Sequence, residues 1–280
     1  MRRQLAAGED EGYFGPDSVL WSVNREAVLG LGLGRAVLMQ IAHPWVAQAV
    51  SDHSSVGTHP VQRLLGTVEA AEFLTFGSTS QADRVAHQLN TMHAHINGHL
   101  KESVGRWRVG DEYRADDPDA LLWVLATLID TTFVMHDVAF PRMPRSRENA
   151  YISDVVRLGA MLGVRAEDVP GNRTSLREYL LKQVDDGTVA VGDTGRALGR
   201  DLINRNISLG PLFRPYQSLS GIVAVGLLPE SIRRLYGFTL SARERLIFHT
   251  GHFLGCRVPR RLPQRIRTDP IAWEAIKRAS

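Results

Sequence analysis

The sequence is poor in cysteine, in excess charge and in long apolar runs. One cysteine, Cys256, among 280 residues excludes an internal disulfide and any metal site built from cysteine ligands alone. Lysine and arginine total 33 against 30 acidic residues, and this formal net charge of +3 gives no reason to expect a nucleic-acid partner. The longest apolar stretches, such as 121–126, are far shorter than the roughly 20 residues that cross a bilayer. We therefore expect no membrane span, no signal peptide and a cytoplasmic location.

The sequence also lacks any alternating run long enough to predict a β-strand. Apolar residues recur instead at helical spacing along most of the chain. The glycines in 30–34 lack the G-x-G-x-x-G spacing, and no βαβ pattern surrounds them, which disfavours a dinucleotide fold. With 44% hydrophobic and 22% charged residues, the composition is that of a folded globular protein. We predict an all-α, single-domain bundle of roughly ten helices over 17–280, preceded by a flexible N-terminal segment over 1–16.

Capping and helix-breaking residues predict where several helices begin and end. Asp17 is the candidate N-cap of the first helix. The pair His43-Pro44 predicts a break in a helical pattern over 35–50, because proline disfavours helix at the residue before it. Pro60 and Gly77 are expected to bound another helix that ends at the preceding phenylalanine.

Two further predicted helices carry a histidine on their apolar face. The first begins near Ser80, which forms a capping-box-like pattern with Asp83, and His93 lies within its apolar stripe. The second begins after Asp117-Pro118, and His136 lies on its apolar face. A buried imidazole is either a core histidine that bonds a backbone carbonyl or a metal ligand, and haem iron suits one neutral imidazole in apolar surroundings. The spacing alone leaves both interpretations open.

Three other patterns bear on chemistry. Arg63 and Thr67 share a helical face, where they either hold a carboxylate, a propionate or bound oxygen or form an ordinary surface pair. His249 and His252 have a spacing found in metal sites, but no Glu-x-x-His motif accompanies them, which disfavours a carboxylate-bridged di-iron centre. The basic run at 257–267 lacks aromatic residues and is expected to be a solvated surface or a subunit contact.

Several segments resemble one protein family by their shared order along the chain. They are 34–44 (GRAVLMQIAHP), 51–54 (SDHS), Arg63-x-x-x-Thr67, 92–96 (MHAHI), 122–128 (LWVLATL), 227–229 (LLP) and 236–237 (YG). Together they resemble the oxygenase domain shared by the mycophenolate-pathway enzyme MpaB and the latex-clearing rubber oxygenases. The likeness spans roughly 25–250.

The resemblance implies an all-α fold around a buried haem b pocket. His93 takes the place of the proximal iron ligand, and Arg63 and Thr67 take the place of residues that line the distal face. We retain these two as the candidate catalytic residues, and His136 as a further candidate for cofactor binding. Gly66 replaces the distal lysine of the family, which implies an open or water-bound distal position.

Two more positions depart from the pattern of the family. Asn90 and Asn97 stand where it often has arginines, which bears on how haem propionates would be anchored and whether haem is retained. Besides His136, the extra histidines His43, His53 and His59 are candidates to compensate.

The activity implied is that of a haem-dependent oxygenase. It would bind O2 at a His-ligated iron and act on a hydrophobic, unsaturated small molecule, held in an apolar pocket near Leu121, Leu125 and Leu128. Two alternatives remain: a non-catalytic protein that binds haem or a small ligand, and a cofactor-free helical interaction module. The expected partners are the small substrate and O2, and a homo-oligomer is left open.

Overall fold

A computed structural model of the chain describes residues 10–53, 60–204, 214–255 and 261–279. Fourteen α-helices and one two-stranded sheet account for most of these residues. In chain order the helices are α1 (Val19–Asn24), α2 (Leu33–Gln40), α3 (Pro44–His53), α4 (Pro60–Phe76), α5 (Thr79–Ala94), α6 (Pro118–Ala139), α7 (Arg145–Met161), α8 (Arg173–Asp185), α9 (Asp193–Asn204), α10 (Arg214–Leu227), α11 (Glu230–Tyr236), α12 (Ala242–Gly255), α13 (Gln264–Arg267) and α14 (Pro270–Ala279). The predicted all-α class is confirmed.

The small sheet lies between α5 and α6. Strand β1 (Asn97–His99) pairs antiparallel with β2 (Glu112–Arg114), with Gly98 opposite Tyr113. Gly98 is required there because a Cβ atom would lie 2.7 Å from the Tyr113 hydroxyl oxygen. Helical periodicity alone predicts that the helix begun near Ser80 runs to about residue 98, but it ends at Ala94, and β1 begins at Asn97.

Helix α6 is the centre of the protein. Asp117 caps its N-terminus by accepting from the backbone N–H groups of Asp119 (2.9 Å) and Ala120 (3.1 Å), and Pro118 occupies the first turn. It packs against α2, α7, α8 and the 3-10 turn Ala27–Gly32. Its buried core residues are Leu122, Trp123, Leu125, Ala126, Ile129 and Phe133. The start predicted for this helix is confirmed.

By length and composition alone, α6 is also apolar enough to cross a membrane, and it is the one such helix in the described ranges. Half of the tested stretch is buried inside the protein, and a core helix passes the same test. It is therefore weak support for a membrane span.

The C-terminal end of α2 is fixed by two aromatic side chains from distant parts of the chain. The indole N–H of Trp123 donates to the carbonyl oxygens of Met39 (3.1 Å) and Gln40 (3.3 Å). The hydroxyl of Tyr236 donates to the carbonyl oxygen of Leu38 at 2.7 Å. These bonds satisfy carbonyls that a helix end leaves without intrahelical partners. The predicted break before Pro44 is confirmed.

Helices α4 and α5 form an antiparallel hairpin, because only Gly77 and Ser78 separate them. The predicted bounds of α4 are confirmed. The capping residue predicted for α5 is wrong: Ser78 and Gln81 form a capping box, so the helix begins at Thr79 and Ser80 lies inside it. Ser78 caps the helix because its side chain accepts from the backbone N–H of Gln81, and the Gln81 side chain accepts from the backbone N–H of Ser78.

The N-terminal region differs from its prediction in two respects. Ser18 rather than Asp17 caps α1, which ends at Asn24. Residues 10–16 make defined contacts: the Tyr13 hydroxyl donates to Asp83 at 2.7 Å, and Phe14 is buried. Residues 1–9 of the segment predicted to be flexible lie outside the described part of the chain.

Candidate functional site

His93 lies in the last turn of α5, at the open end of the α4–α5 hairpin. Its side chain is partly buried, and its Nδ1 atom is fully enclosed without a hydrogen-bond partner among the described residues. A buried polar nitrogen without a partner costs free energy, so such an atom calls for an explanation in terms of function or an unseen ligand.

The protonation state of His93 suits a metal ligand. Burial lowers the pKa of the His93 imidazole, and the Asp116 carboxylate offsets part of that shift. The ring is therefore neutral at neutral pH and has a lone pair to offer. Asp116 is held in turn by Arg114, whose Nη2 donates to its Oδ2 at 2.9 Å, and Arg114 and the neighbouring His93 lower the pKa of this carboxyl.

Asn90 and Asn97, which stand where the family often has arginines, make other contacts in this fold. The Asn90 side-chain amide donates to the Met161 carbonyl oxygen at 2.9 Å, which joins the last turns of α5 and α7. Asn97 lies in β1, and its carbonyl oxygen lies 3.0 Å from Nε2 of His53. Neither side chain can supply the charge of an arginine.

An ideal antiparallel hairpin would bring Arg63 close to the level of His93. The two residues lie at nearly equal distances along the sequence from Gly77, Arg63 before the turn and His93 after it. At about 1.5 Å per residue, an ideal hairpin would place their backbones within about 3 Å of the same height. Thr67 lies about one turn nearer the hairpin turn and is exposed. The side chain of Arg63 lies outside the described part, so the geometry places its backbone only.

His136 is not brought to this end of the protein. His93 lies near Asp116, just before α6 begins, whereas His136 lies in the last turn of α6. The separation from the first residue of α6 to His136 is about 27 Å along the helix axis. A single haem iron cannot bind both rings in this arrangement, so binding of the cofactor by His136 stays a prediction that the geometry does not favour.

At its own end of α6, His136 belongs to a polar cluster. Its Nδ1 lies 3.9 Å from Oδ1 of Asp137 and is buried without a hydrogen-bond partner in the described ranges. Burial raises the pKa of Asp137, but His136 and the Arg173 guanidinium outweigh burial and bring the pKa below its usual range. Arg173 donates to Asp137 at 2.7 Å and to the buried Glu148 at 2.9 Å.

His43 is a structural residue of the core. Burial lowers its pKa to about 3, and its Nδ1 accepts the backbone N–H of Trp45 at 3.2 Å. Its ring packs against Trp45 and Trp107, with centroids 6.0 and 5.9 Å away. A nearby cavity beside Pro44, of about 10 Å³, has room for about one water molecule.

The other candidate ligands form no metal centre in the described ranges, where no group of three histidine, cysteine or acidic side chains is suitably arranged. His53 bonds the Asn97 carbonyl oxygen, and His249 is exposed on α12. His59, Cys256 and the side chain of His252 lie outside the described part.

The sequence reasoning missed a buried ion pair. Arg35, 1% exposed, donates to Asp130 at 2.5 Å, to the Thr131 hydroxyl at 2.6 Å and to the Leu227 carbonyl oxygen at 2.8 Å. It thereby joins α2, α6 and α10. The available signal was an arginine inside the apolar run at 34–42, since a charge in such a run needs a buried partner.

Comparison with known families now adds to this geometry. The family described as "ER-bound oxygenase mpaB/B'/Rubber oxygenase, catalytic domain" matches residues 21–256, which is most of the chain. The chain belongs to this family. The resemblance drawn from the sequence motifs is thereby confirmed, and membership suggests an oxygenase-like function. The matched range includes Arg63, Thr67 and His93.

Two curated relatives are uncharacterised proteins of Mycobacterium bovis and Mycobacterium tuberculosis. Each is 26% identical over 153 residues, which is 53% of this chain and 57% of the relative. The chain therefore spans little more than half the length of these relatives. No solved structure matches it significantly.

Proposed function

We propose that this protein is a haem b-dependent oxygenase that acts on a hydrophobic, unsaturated small molecule. The observation that carries the proposal is the enclosed and unpartnered Nδ1 of the neutral His93, at the open end of the α4–α5 hairpin in the described part of the chain. His93 would hold the haem iron, because a neutral imidazole in apolar surroundings is a protein ligand that haem iron commonly takes.

In this proposal the chain has three tasks around the haem. His93 would hold the iron, and the neighbouring Asp116 would help to orient and polarise its ring. Arg63 and Thr67, on the facing helix α4, would donate hydrogen bonds to developing negative charge. When bound, the haem supplies the reaction with O2, and the protein orients the substrate and excludes water.

Substrate binding is proposed for the apolar surface of α6 that faces away from the core. Leu128 is 42% exposed there, and Leu121 and Val124 on the same side are only partly buried. An apolar side chain exposed in the middle of the central helix is a natural contact for an apolar ligand. Leu125, which was expected beside them, packs in the core.

The test is the absorption spectrum of the purified protein after haem addition, oxidised and reduced. We expect a Soret band in the unaltered protein and its loss or shift in His93→Ala. The matched control is His87→Ala on the same helix, at an exposed position. Unchanged haem binding by both variants, or a folded protein that binds no haem, would contradict the proposal.

A second candidate function is haem or small-ligand binding without turnover. The observation that favours it is the engagement of Asn90 with the Met161 carbonyl oxygen, because this position then supplies no charge to a propionate. Both candidates predict the same His93-dependent spectrum. Only the oxygenase predicts O2 consumption coupled to loss of a carbon–carbon double bond in an added substrate. The cytoplasmic location and the homo-oligomer stay predictions.

A further inference from the structure

Residues 261–279, which we call the strap, cross the protein far from their neighbours in sequence. At one end, Thr268 forms an antiparallel bridge with Glu26, and the Asp269 N–H donates to the Arg25 carbonyl oxygen at 2.7 Å. Nε of Arg267 lies 3.5 Å from Oε2 of Glu26, and its guanidinium stacks over Phe140 with 5.4 Å to the ring centroid. The strap is therefore joined to the chain just after α1 and to the end of α6.

At its other end, the strap holds the turn of the α4–α5 hairpin. Ala272 and Ala275 of α14, both fully buried, pack with Trp21 and Phe76 in a small core separate from the main one. The guanidinium of Arg278 donates to the Phe76 carbonyl oxygen at 2.7 Å. Phe76 is the last residue of α4, so the strap fixes the closed end of the hairpin.

The interface under the strap is unusually short of hydrogen bonds. Several buried side-chain polar atoms in or beside it have no hydrogen-bond partner in the described ranges. They include Trp21 Nε1, Glu72 Oε2, His136 Nδ1 and Thr268 Oγ1. Each such atom disfavours docking, because water would form a hydrogen bond with it when the strap is undocked. Docking of the strap is therefore weaker than its apolar contacts alone would make it.

We propose that the strap holds the closed end of the α4–α5 hairpin, and that its undocking loosens the two helices that carry Arg63 and His93. The strap grips the hairpin at Phe76, the last residue of α4, whereas His93 lies in the last turn of α5 at the opposite end. Loosening of the closed end is expected to spread along the two packed helices toward the end that carries His93, about 24 Å away, which Asn90 also holds through the Met161 carbonyl oxygen. The coupling itself is independent of haem, and only its bearing on catalysis rests on the proposed function.

The test is hydrogen exchange on the full-length chain without added haem. Ala275→Glu places a carboxylate in the small core and is expected to undock α14. We expect about tenfold faster exchange in α14 and in the described hairpin residues 66–94, while α6 keeps its protection. The matched control is Lys277→Glu, which places a carboxylate on the exposed side of the same helix and should leave exchange unchanged.

Two outcomes would overturn the coupling. One is faster exchange in α14 with the hairpin unchanged. The other is an equal rise in the hairpin after Lys277→Glu, which would show a charge effect without undocking.

If Ala275→Glu also speeds exchange in α6, a milder variant tests the coupling between the strap and the hairpin. Arg278→Gln removes the charged donor to the Phe76 carbonyl oxygen without inserting a charge into the core. Faster exchange in the hairpin with α6 intact would support the coupling, and unchanged exchange in the hairpin would overturn it. Haem binding plays no part in these measurements, so their failure is distinguishable from failure of the proposed function.

Discussion

At the scale of single residues, buried charges and buried titratable groups decide the electrostatics of this protein. Arg35 has two side-chain partners and one carbonyl partner, and so its burial is well compensated. Glu72 is in the opposite situation: burial raises its pKa to about 7, and Asp269 and Glu69 act in the same direction. Arg35 therefore joins helices, whereas Glu72 makes the stability of the protein depend on pH.

Replacement of Arg35 by methionine is expected to destabilise the protein by about 3 kcal/mol, because Asp130 then lacks its charged partner. Urea unfolding followed by circular dichroism measures the change. Arg234→Met is the control, since the Arg234–Glu230 pair is 73% and 69% exposed and should contribute less than about 1 kcal/mol. Equal losses in the two variants would contradict the structural role of Arg35.

Glu72→Gln is expected to flatten the pH dependence of stability. The pKa of Glu72 is about 7 in the folded protein against 4.5 in the reference state, so the folded form binds the proton more tightly. Its contribution is fully present below the reference value and is lost as pH rises through about 7. The free energy of unfolding of the unaltered protein should therefore fall by about 2 kcal/mol between about pH 5 and 8. Glu72→Gln should not show this fall.

Unfolding free energies across that pH range measure this difference. The control is Glu230→Gln, at an exposed carboxylate, which should follow the unaltered protein. Parallel curves for Glu72→Gln and the unaltered protein would show that Glu72 titrates normally.

At the scale of elements, local signals are strongest where a cap and a helix former coincide. Asp117 and Pro118 begin α6 as predicted, and Pro60 and Gly77 bound α4. Signals that compete within a few residues are weaker guides, as Ser78 and Ser80 show for α5. Ser78 caps α5 because its partner three positions later, Gln81, returns a hydrogen bond to it.

Asp117→Ala is expected to lower the unfolding free energy by about 1 kcal/mol, because two N–H groups at the start of the central helix lose their acceptor. Asp117→Asn is the matched control, since its side-chain oxygen can still accept and should cost only a few tenths of that amount. Urea unfolding compares the two variants. An alanine variant as stable as the asparagine variant would show that the cap is dispensable.

At the scale of the whole molecule, one haem bound to the folded state should raise thermal stability. A ligand present at about 100 times its dissociation constant adds about 2.7 kcal/mol. We expect added haem to raise the melting temperature of the unaltered protein and of His87→Ala, and to have much less effect on His93→Ala. Differential scanning calorimetry with and without haem measures the shift. Equal shifts in all three proteins would place the haem elsewhere.

The sequence by itself determined the helical class, several helix ends and the phase that sets His93 on an apolar stripe. These features depend on residues within one or two turns of each other, and the family motifs lie in order along the chain. Tertiary structure alone decided that His93 lies far from His136, that Arg35 meets Asp130, and that the strap docks beside Glu26 and Phe76. Helical periodicity shows which face of a helix is apolar, but which helices meet depends on the packing of the whole chain.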